Sequence, residues 1–296
     1  MTAAELGLLL LRCRLQPDAR PLSHAQMTAL RQRMRAHGRP ESPDAALTHE
    51  FLRELGCDAA TADNVLALLA RRELLLTQLR EWASRGIGVL TRLSEHYPQA
   101  LLGKLGDDAP AVLFYRGDLS LLRHPALGLV GSRDLAEENA RFAAAVGSFA
   151  ARNGYAVVSG NARGADRTAQ DACLQLGGAV IVYTAERLLS LRPQPGMLLL
   201  SEEVPEVGFT ASRALARNRL IHAHASLTFV AQSGLRGGTW SGTTNNLRAG
   251  LSPLFLLEDG SEAASQLCAL GAHPIPITKN YDEALRYALH SHRETN

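Results

Sequence analysis

Through the first third of the chain apolar residues recur at three- and four-residue spacing, as in Phe51-Leu52-Leu55 and Val65-Leu66-Leu68-Leu69, which predicts amphipathic helices. No strand-like alternation shows before about residue 95, so residues 1–95 read as a small helical domain. The stretch Arg35 to Asp44, with Gly38, Pro40 and Pro43, separates two helical groups, and Gly56 ends a helix before Asp58 or Thr61 caps the next. A lead-in follows, in which Tyr97-Pro98 opens a turn and Ala111-Val112-Leu113-Phe114-Tyr115 forms a short strand ending at Gly117.

From Ala126 the pattern changes to short apolar β-rich runs alternating with amphipathic stretches. Predicted strands cover Leu127 to Val130, Ala156 to Val158, Ala179 to Tyr183, Met197 to Leu200, Leu227 to Val230 and Leu254 to Leu257. Predicted helices cover Glu137 to Arg152, Asp166 to Leu176, Ser212 to His222, Thr244 to Arg248 and Glu262 to Leu270. Residues 96–296 therefore read as the lead-in plus a Rossmann-like α/β domain, a mostly parallel sheet with helices on both faces.

Composition narrows the function. With 296 residues, 46% hydrophobic and 20% charged, the chain can bury two cores. The net charge of +2 does not by itself imply a nucleic-acid partner. Of the 31 basic residues, however, only Lys104 and Lys279 are lysines, and arginine's planar fork of donors suits phosphate. Cys13, Cys57, Cys173 and Cys268 are scattered without a Cys-x-x-Cys pair, which predicts reduced thiols in a cytoplasm and no metal centre. No stretch approaches the roughly 20 apolar residues of a membrane span, so a soluble protein without a membrane partner is expected.

In open parallel sheets ligands bind beyond the carboxyl ends of the strands. Four segments there join arginine to small or hydroxyl residues. They are Gly131-Ser132-Arg133; Ser159-Gly160-Asn161-Ala162-Arg163-Gly164-Ala165-Asp166; Arg217-Asn218-Arg219; and Arg236-Gly237-Gly238-Thr239, which continues through Trp240 to Thr244. Glycine turns leading into helices present backbone donors to anions, and Trp240 either stacks on a base or packs under its loop. Leu215, Leu220 and Ile221 are expected to anchor the helix that carries the Arg-Asn-Arg triplet. Arg217 and Arg219, two apart on that helix, diverge around its axis, so they reach different phosphates or one turns inward.

In content and order these segments, with Leu129-Val130 before the first, Ser201-Glu202, Leu220-Ile221 and the lead-in through Val112-Leu113-Phe114, resemble the DNA-processing protein A (DprA/Smf) family. The resemblance runs from about residue 50 to 280. It implies single-stranded-DNA binding, a homodimer formed through the Rossmann-like domain, and loading of a RecA-type recombinase in transformation or recombination; the want of an acid after Gly238-Thr239 and of a metal or nucleophile constellation predicts a site without catalysis or cofactor. It places the family's phosphate-gripping arginines on Arg133, Arg217 and Arg219, beside glycine turns at Gly131, Gly160 and Gly164. Three features depart from the pattern. Leu215-Ala216 stands where an aromatic-proline pair is common, Gln170 where His is common, and no C-terminal winged helix is expected after the last α/β element.

The alternative is a phosphoribohydrolase of the lysine-decarboxylase-like, cytokinin-activating group, whose glycine and threonine loop the segment at Gly237-Gly238-Thr239 also resembles. That group carries a catalytic glutamate shortly after the loop, whereas this chain reads Ser241-Gly242-Thr243-Thr244-Asn245-Asn246. Glu202 and Glu203 are the acids left to substitute. A Gly-x-Gly-x-x-Gly fingerprint, a P-loop lysine motif and a Gly-x-Ser-x-Gly elbow are all missing, which leaves no signature of a dinucleotide cofactor, an ATPase or a serine hydrolase.

Overall fold

The computed structural model describes residues 1–15, 20–37 and 47–293. Most of the separating stretch Arg35 to Asp44 lies outside the described residues. The chain divides into two compact units: Met1–Tyr97, Gly106–Phe114 and Glu202–Pro205 form one, and Pro98–Leu105, Tyr115–Ser201 and Glu206–Asn296 form the other.

The first unit contains α1 (Ala3–Arg12), α2 (His24–Ala36), α3 (His49–Glu54), α4 (Ala59–Leu69) and α5 (Arg72–Ser84). Capping boxes Thr2/Glu5 and Ser23/Gln26 satisfy the first amides of α1 and α2. Asp58 caps α4, its carboxylate accepting from Thr61 N at 2.7 Å. Leu11, Leu22, Leu30, Leu52, Val65 and Leu68 form the buried centre of this unit. It also holds a strand that the helical reading of residues 1–95 missed, β1 (Gly88–Thr91). Four residues beginning with glycine are too short to show alternation, and only the last two are buried.

α6 (Gln99–Leu105) belongs to the second unit, and β2 (Val112–Gly117) passes from the first into the second. The second unit continues with β3 (Ala126–Val130), α7 (Glu137–Arg152), β4 (Ala156–Ser159), α8 (Ala165–Gln175), β5 (Ala179–Tyr183), β6 (Met197–Ser201) and α9 (Ala211–His224). It is completed by β7 (Leu227–Val230), α10 (Gly238–Ala249), β8 (Leu254–Leu257), α11 (Glu262–Ala269), β9 (His273–Ile275) and α12 (Asp282–Arg293). Every residue of β3 to β8 is buried, as continuous apolar runs in a sheet covered on two sides should be.

The strand order in this unit is β6-β5-β4-β3-β7-β8-β9, and each neighbouring pair is parallel. The chain winds outward from β3 to β6, then returns past β3 to lay down β7 on its other side. Right-handed crossovers in these two directions put α7 and α8 on one face and α9, α10 and α11 on the other. The packing of α7 against α8 and of α9 against α10 agrees with this. β3, between β4 and β7, is thus the point where the winding reverses, and there the loops after neighbouring strands part to leave a crevice.

α10 begins at Gly238, six residues before the start expected from the pattern at Thr244. The segment Gly-Thr-Trp-Ser-Gly-Thr has poor helix propensity, and tertiary contacts override it. Thr239 Oγ1 donates to Gly131 O at 2.9 Å, Thr243 is buried, and Gly242 lies against the Asn218 side chain. Leu215 does not anchor α9 as expected: it is exposed, while Leu220 and Ile221 are buried. Five residues along a helix turn the side chain roughly 140° away, onto the opposite face.

Candidate nucleic-acid interface

At the winding reversal the second unit opens a cleft of about 700 Å3. Its walls come from the turns after β3, β4 and β7 and from the first half of α9. Of the four segments singled out in the sequence, Gly131, Ser132, Arg133, Ala162, Asp166, Arg217, Asn218, Arg236, Gly237, Gly238, Thr239 and Ser241 line it. Ser159, Gly160, Arg163, Gly164 and Arg219 do not.

Three turns are stitched together beneath the cleft. Ser132 N donates to Gln232 O at 2.9 Å and Ala165 N to Ser132 O at 3.1 Å, which joins the β3 turn to the β7 turn and to α8. Gly164 has φ +82°, and a Cβ there would sit 2.4 Å from Arg133 O, so only glycine lets α8 start this close to the β3 turn. Asn218 Nδ2 donates to Gly238 O at 3.2 Å and ties α9 to the start of α10. α10 itself has no side-chain cap, which leaves its first amides, beside the exposed Gly237 and Gly238, directed at the cleft.

Of the Arg-Asn-Arg pair, Arg217 is the one that turns inward. It is 8% exposed on the cleft floor, and its Nη1 donates to Tyr183 O at 2.7 Å. A Cβ on Gly160 would stand 1.7 Å from that nitrogen, so the guanidinium occupies the space that glycine leaves. Below it, buried Asp166 accepts from Gly160 N and Ala162 N, each at 3.0 Å, and holds the turn in which Asn161 adopts φ +68°. Burial pushes the Asp166 carboxyl upward against the pull of Arg217 and the two amides. Burial likewise lowers Arg217, with Asp166 opposing. Arginine's reference value is high enough that it stays charged. Ser159 is buried and bonded to Gln170 Nε2 at 2.6 Å, so its hydroxyl supports the turn from below.

The outer cations differ from Arg217. Arg133 and Arg236 are exposed on the cleft rim. Arg163 is also exposed but pairs with Asp134 at 2.6 Å, with both side chains in solvent, where such a pair contributes little stability. Arg219 is half-buried on α9, and Trp240 is half-buried on the first turn of α10 outside the cleft.

Sequence reasoning missed Phe209, Ala211 and Ala214, which line the cleft, and gave Leu215 and Ile221, which also line it, only an anchoring role. Phe209 is 53% exposed and Leu215 46% exposed. The available signal was a lone aromatic beside Gly208, just ahead of the α9 cap at Thr210.

A larger cavity of about 1340 Å3 lies at the amino-terminal ends of β7, β8 and β9. Its one lysine, Lys104, gives its ammonium to Ala225 O at 2.5 Å, and burial lowers that group to about 8. No arginine lines it, and the helix amino terminus that does, that of α12, brings the acidic Glu283 with it. Among the described residues no group of three or more His, Cys, Asp or Glu could hold a metal, and no helix is long and apolar enough to cross a membrane.

Residues 88–285 match the family described as DNA recombination-mediator protein A. Protein Smf of Escherichia coli is 29% identical over 215 residues, which cover 67% of this chain and 56% of that protein. DNA processing protein DprA of Streptococcus pneumoniae is 33% identical over 142 residues, covering 45% of this chain and 50% of that protein. The chain thus spans about half the length of these two curated relatives. Among solved structures, DNA processing protein A from Streptococcus pneumoniae superposes with a TM-score of 0.63 at 24% identity, covering 86% of this chain and 95% of that one. The Helicobacter pylori protein, whose structure is described for its single-stranded DNA binding mode, superposes with a TM-score of 0.58 at 24% identity, covering 69% and 96%. At these identities the two superpositions show the shared fold. The family match takes in well over half of the residues, and this chain belongs to the DNA recombination-mediator protein A family.

Proposed function

We propose that the chain binds single-stranded DNA in the cleft at the β3 winding reversal, as a cytoplasmic protein and without catalysis. The observation that carries this is the convergence there of exposed Arg133 and Arg236 with the uncapped amino terminus of α10. Phosphates would meet Arg133, Ser132, Arg236 and the Gly237-Gly238-Thr239 amides. Arg217, Gly160 and Gly164 hold the shape of the floor, while Asn218 fixes α9 against α10. Arg163 and Arg219, outside the cleft, extend the track along which a longer strand lies. In this reading the DNA-binding role belongs to the Rossmann-like domain, residues 96–296. Family membership supports a further step, in which a homodimer delivers the strand to a RecA-type recombinase.

The non-catalytic reading rests on the acids near the cleft. Among the residues that line the cleft Asp166 is the one acid, committed to the Gly160 and Ala162 amides, and neither Glu202 nor Glu203 lines it. Incubation with single-stranded oligonucleotides and nucleoside monophosphates, followed by chromatography, should return both intact. Release of free base in proportion to protein, abolished by Glu202→Gln, would instead establish the phosphoribohydrolase reading.

A further inference from the structure

The lining of the cleft is chemically mixed. It holds Arg133, Arg236 and the first residues of α10, together with Arg217, whose buried Nε has no hydrogen-bond partner. The same lining holds Phe209 and Leu215, large apolar side chains left about half exposed, and Leu215 Cδ2 lies 3.8 Å from where a Cβ on Gly238 would stand. Phe209 is not loose. Arg213 holds the backbone on its amino-terminal side by donating Nη1 to Val207 O at 2.9 Å, to Gly208 O and to Ala185 O at 2.8 Å. On its carboxyl-terminal side, Thr210 caps α9 by accepting from Arg213 N at 3.2 Å. An exposed apolar surface held in place within the same cleft as anion-binding groups marks a ligand that has both characters.

The cleft volume of about 700 Å3 falls within the rough range of 300–1,000 Å3 in which proteins enclose small molecules. A bare anion would use only the arginines and the α10 amides, and an apolar molecule only Phe209 and Leu215. One nucleotide uses both, with its phosphate on the helix amino terminus and its base against Phe209. We propose that the cleft accepts a single nucleotide as a complete ligand, so that free nucleoside monophosphates occupy it and compete with single-stranded DNA. This deepens the DNA-binding reading of the same cleft and rests on it for the competition alone.

Two measurements test the proposal. Calorimetry with thymidine monophosphate in the absence of DNA should show saturable binding at least tenfold tighter than with thymidine or with inorganic phosphate. The monophosphate should also displace a fluorescent single-stranded oligonucleotide. Phe209→Ala should weaken monophosphate binding about tenfold, the scale of one lost stacking contact, while leaving the melting temperature and the weak binding of inorganic phosphate unchanged. An oligonucleotide that binds while the monophosphate neither binds nor displaces it would overturn the inference and leave the DNA reading intact. Inorganic phosphate as effective as the monophosphate would also overturn it. Monophosphate binding without oligonucleotide binding would support the inference and sink the DNA reading.

Discussion

Arg217 shows what one residue's burial does to its role. With Nη1 on Tyr183 O, its guanidinium over Gly160 and Asp166 beneath, the side chain fixes the β4 turn. Arg217→Ala should therefore lower unfolding free energy in urea by on the order of 3 kcal/mol, because Asp166 is left buried without its compensating charge. The salt dependence of DNA binding per folded molecule should hardly change. Gly160→Ala should be similarly destabilising, since a Cβ would overlap that guanidinium. At this scale the sequence was partly legible. Helical spacing showed that Arg217 and Arg219 diverge, but which one turns inward depends on Gly160 and Tyr183, residues far away in the chain. Phe209 gave little sign because its significance lies in its exposure, which no periodicity reports.

Among the elements, strands and helices of good propensity followed the hydrophobic pattern closely: β5 and α7 have the bounds that pattern predicts. β1 did not, because four residues are too short to alternate, and the start of α10 did not, because its residues become helical only through packing. Thr239→Val should remove the bond to Gly131 O at nearly constant volume, costing about 1 kcal/mol in urea unfolding and weakening DNA binding by loosening α10.

The far end of α9 makes a different prediction. His222 and His224 are buried, the first bonded to Thr228 Oγ1 at 3.2 Å and the second to the Tyr183 hydroxyl at 2.8 Å. Burial, aided by the charge of Lys104, lowers both to about 4 from 6.5. The unfolded chain thus takes up these protons first, so stability should be full above about pH 6.5, fall as pH drops toward 4, and gain no further loss from these groups below that. Urea unfolding across this window should show the fall, and replacing His222 and His224 with Asn should make it shallower. An unchanged slope in that variant would place the titrating groups elsewhere.

At the level of the whole molecule, alternation of apolar runs with amphipathic stretches was enough to read a parallel α/β sheet, and the turn chemistry was enough to name most of the cleft. Strand order was not legible, because a run of buried residues carries no mark of its neighbour. The reversal at β3, which brings the turns after β3, β4 and β7 together, emerges only in the folded chain. That juxtaposition is the central claim, and its most direct test is the salt dependence of single-stranded oligonucleotide binding by fluorescence anisotropy in wild type and in Arg133→Ala/Arg236→Ala. Wild type should prefer single strands to duplex, with log affinity falling linearly with log salt, and the double variant should flatten the slope by about 1.4, since each lost phosphate contact removes about 0.7. A double variant that binds with wild-type affinity and slope, or a wild type that prefers duplex, would contradict the account.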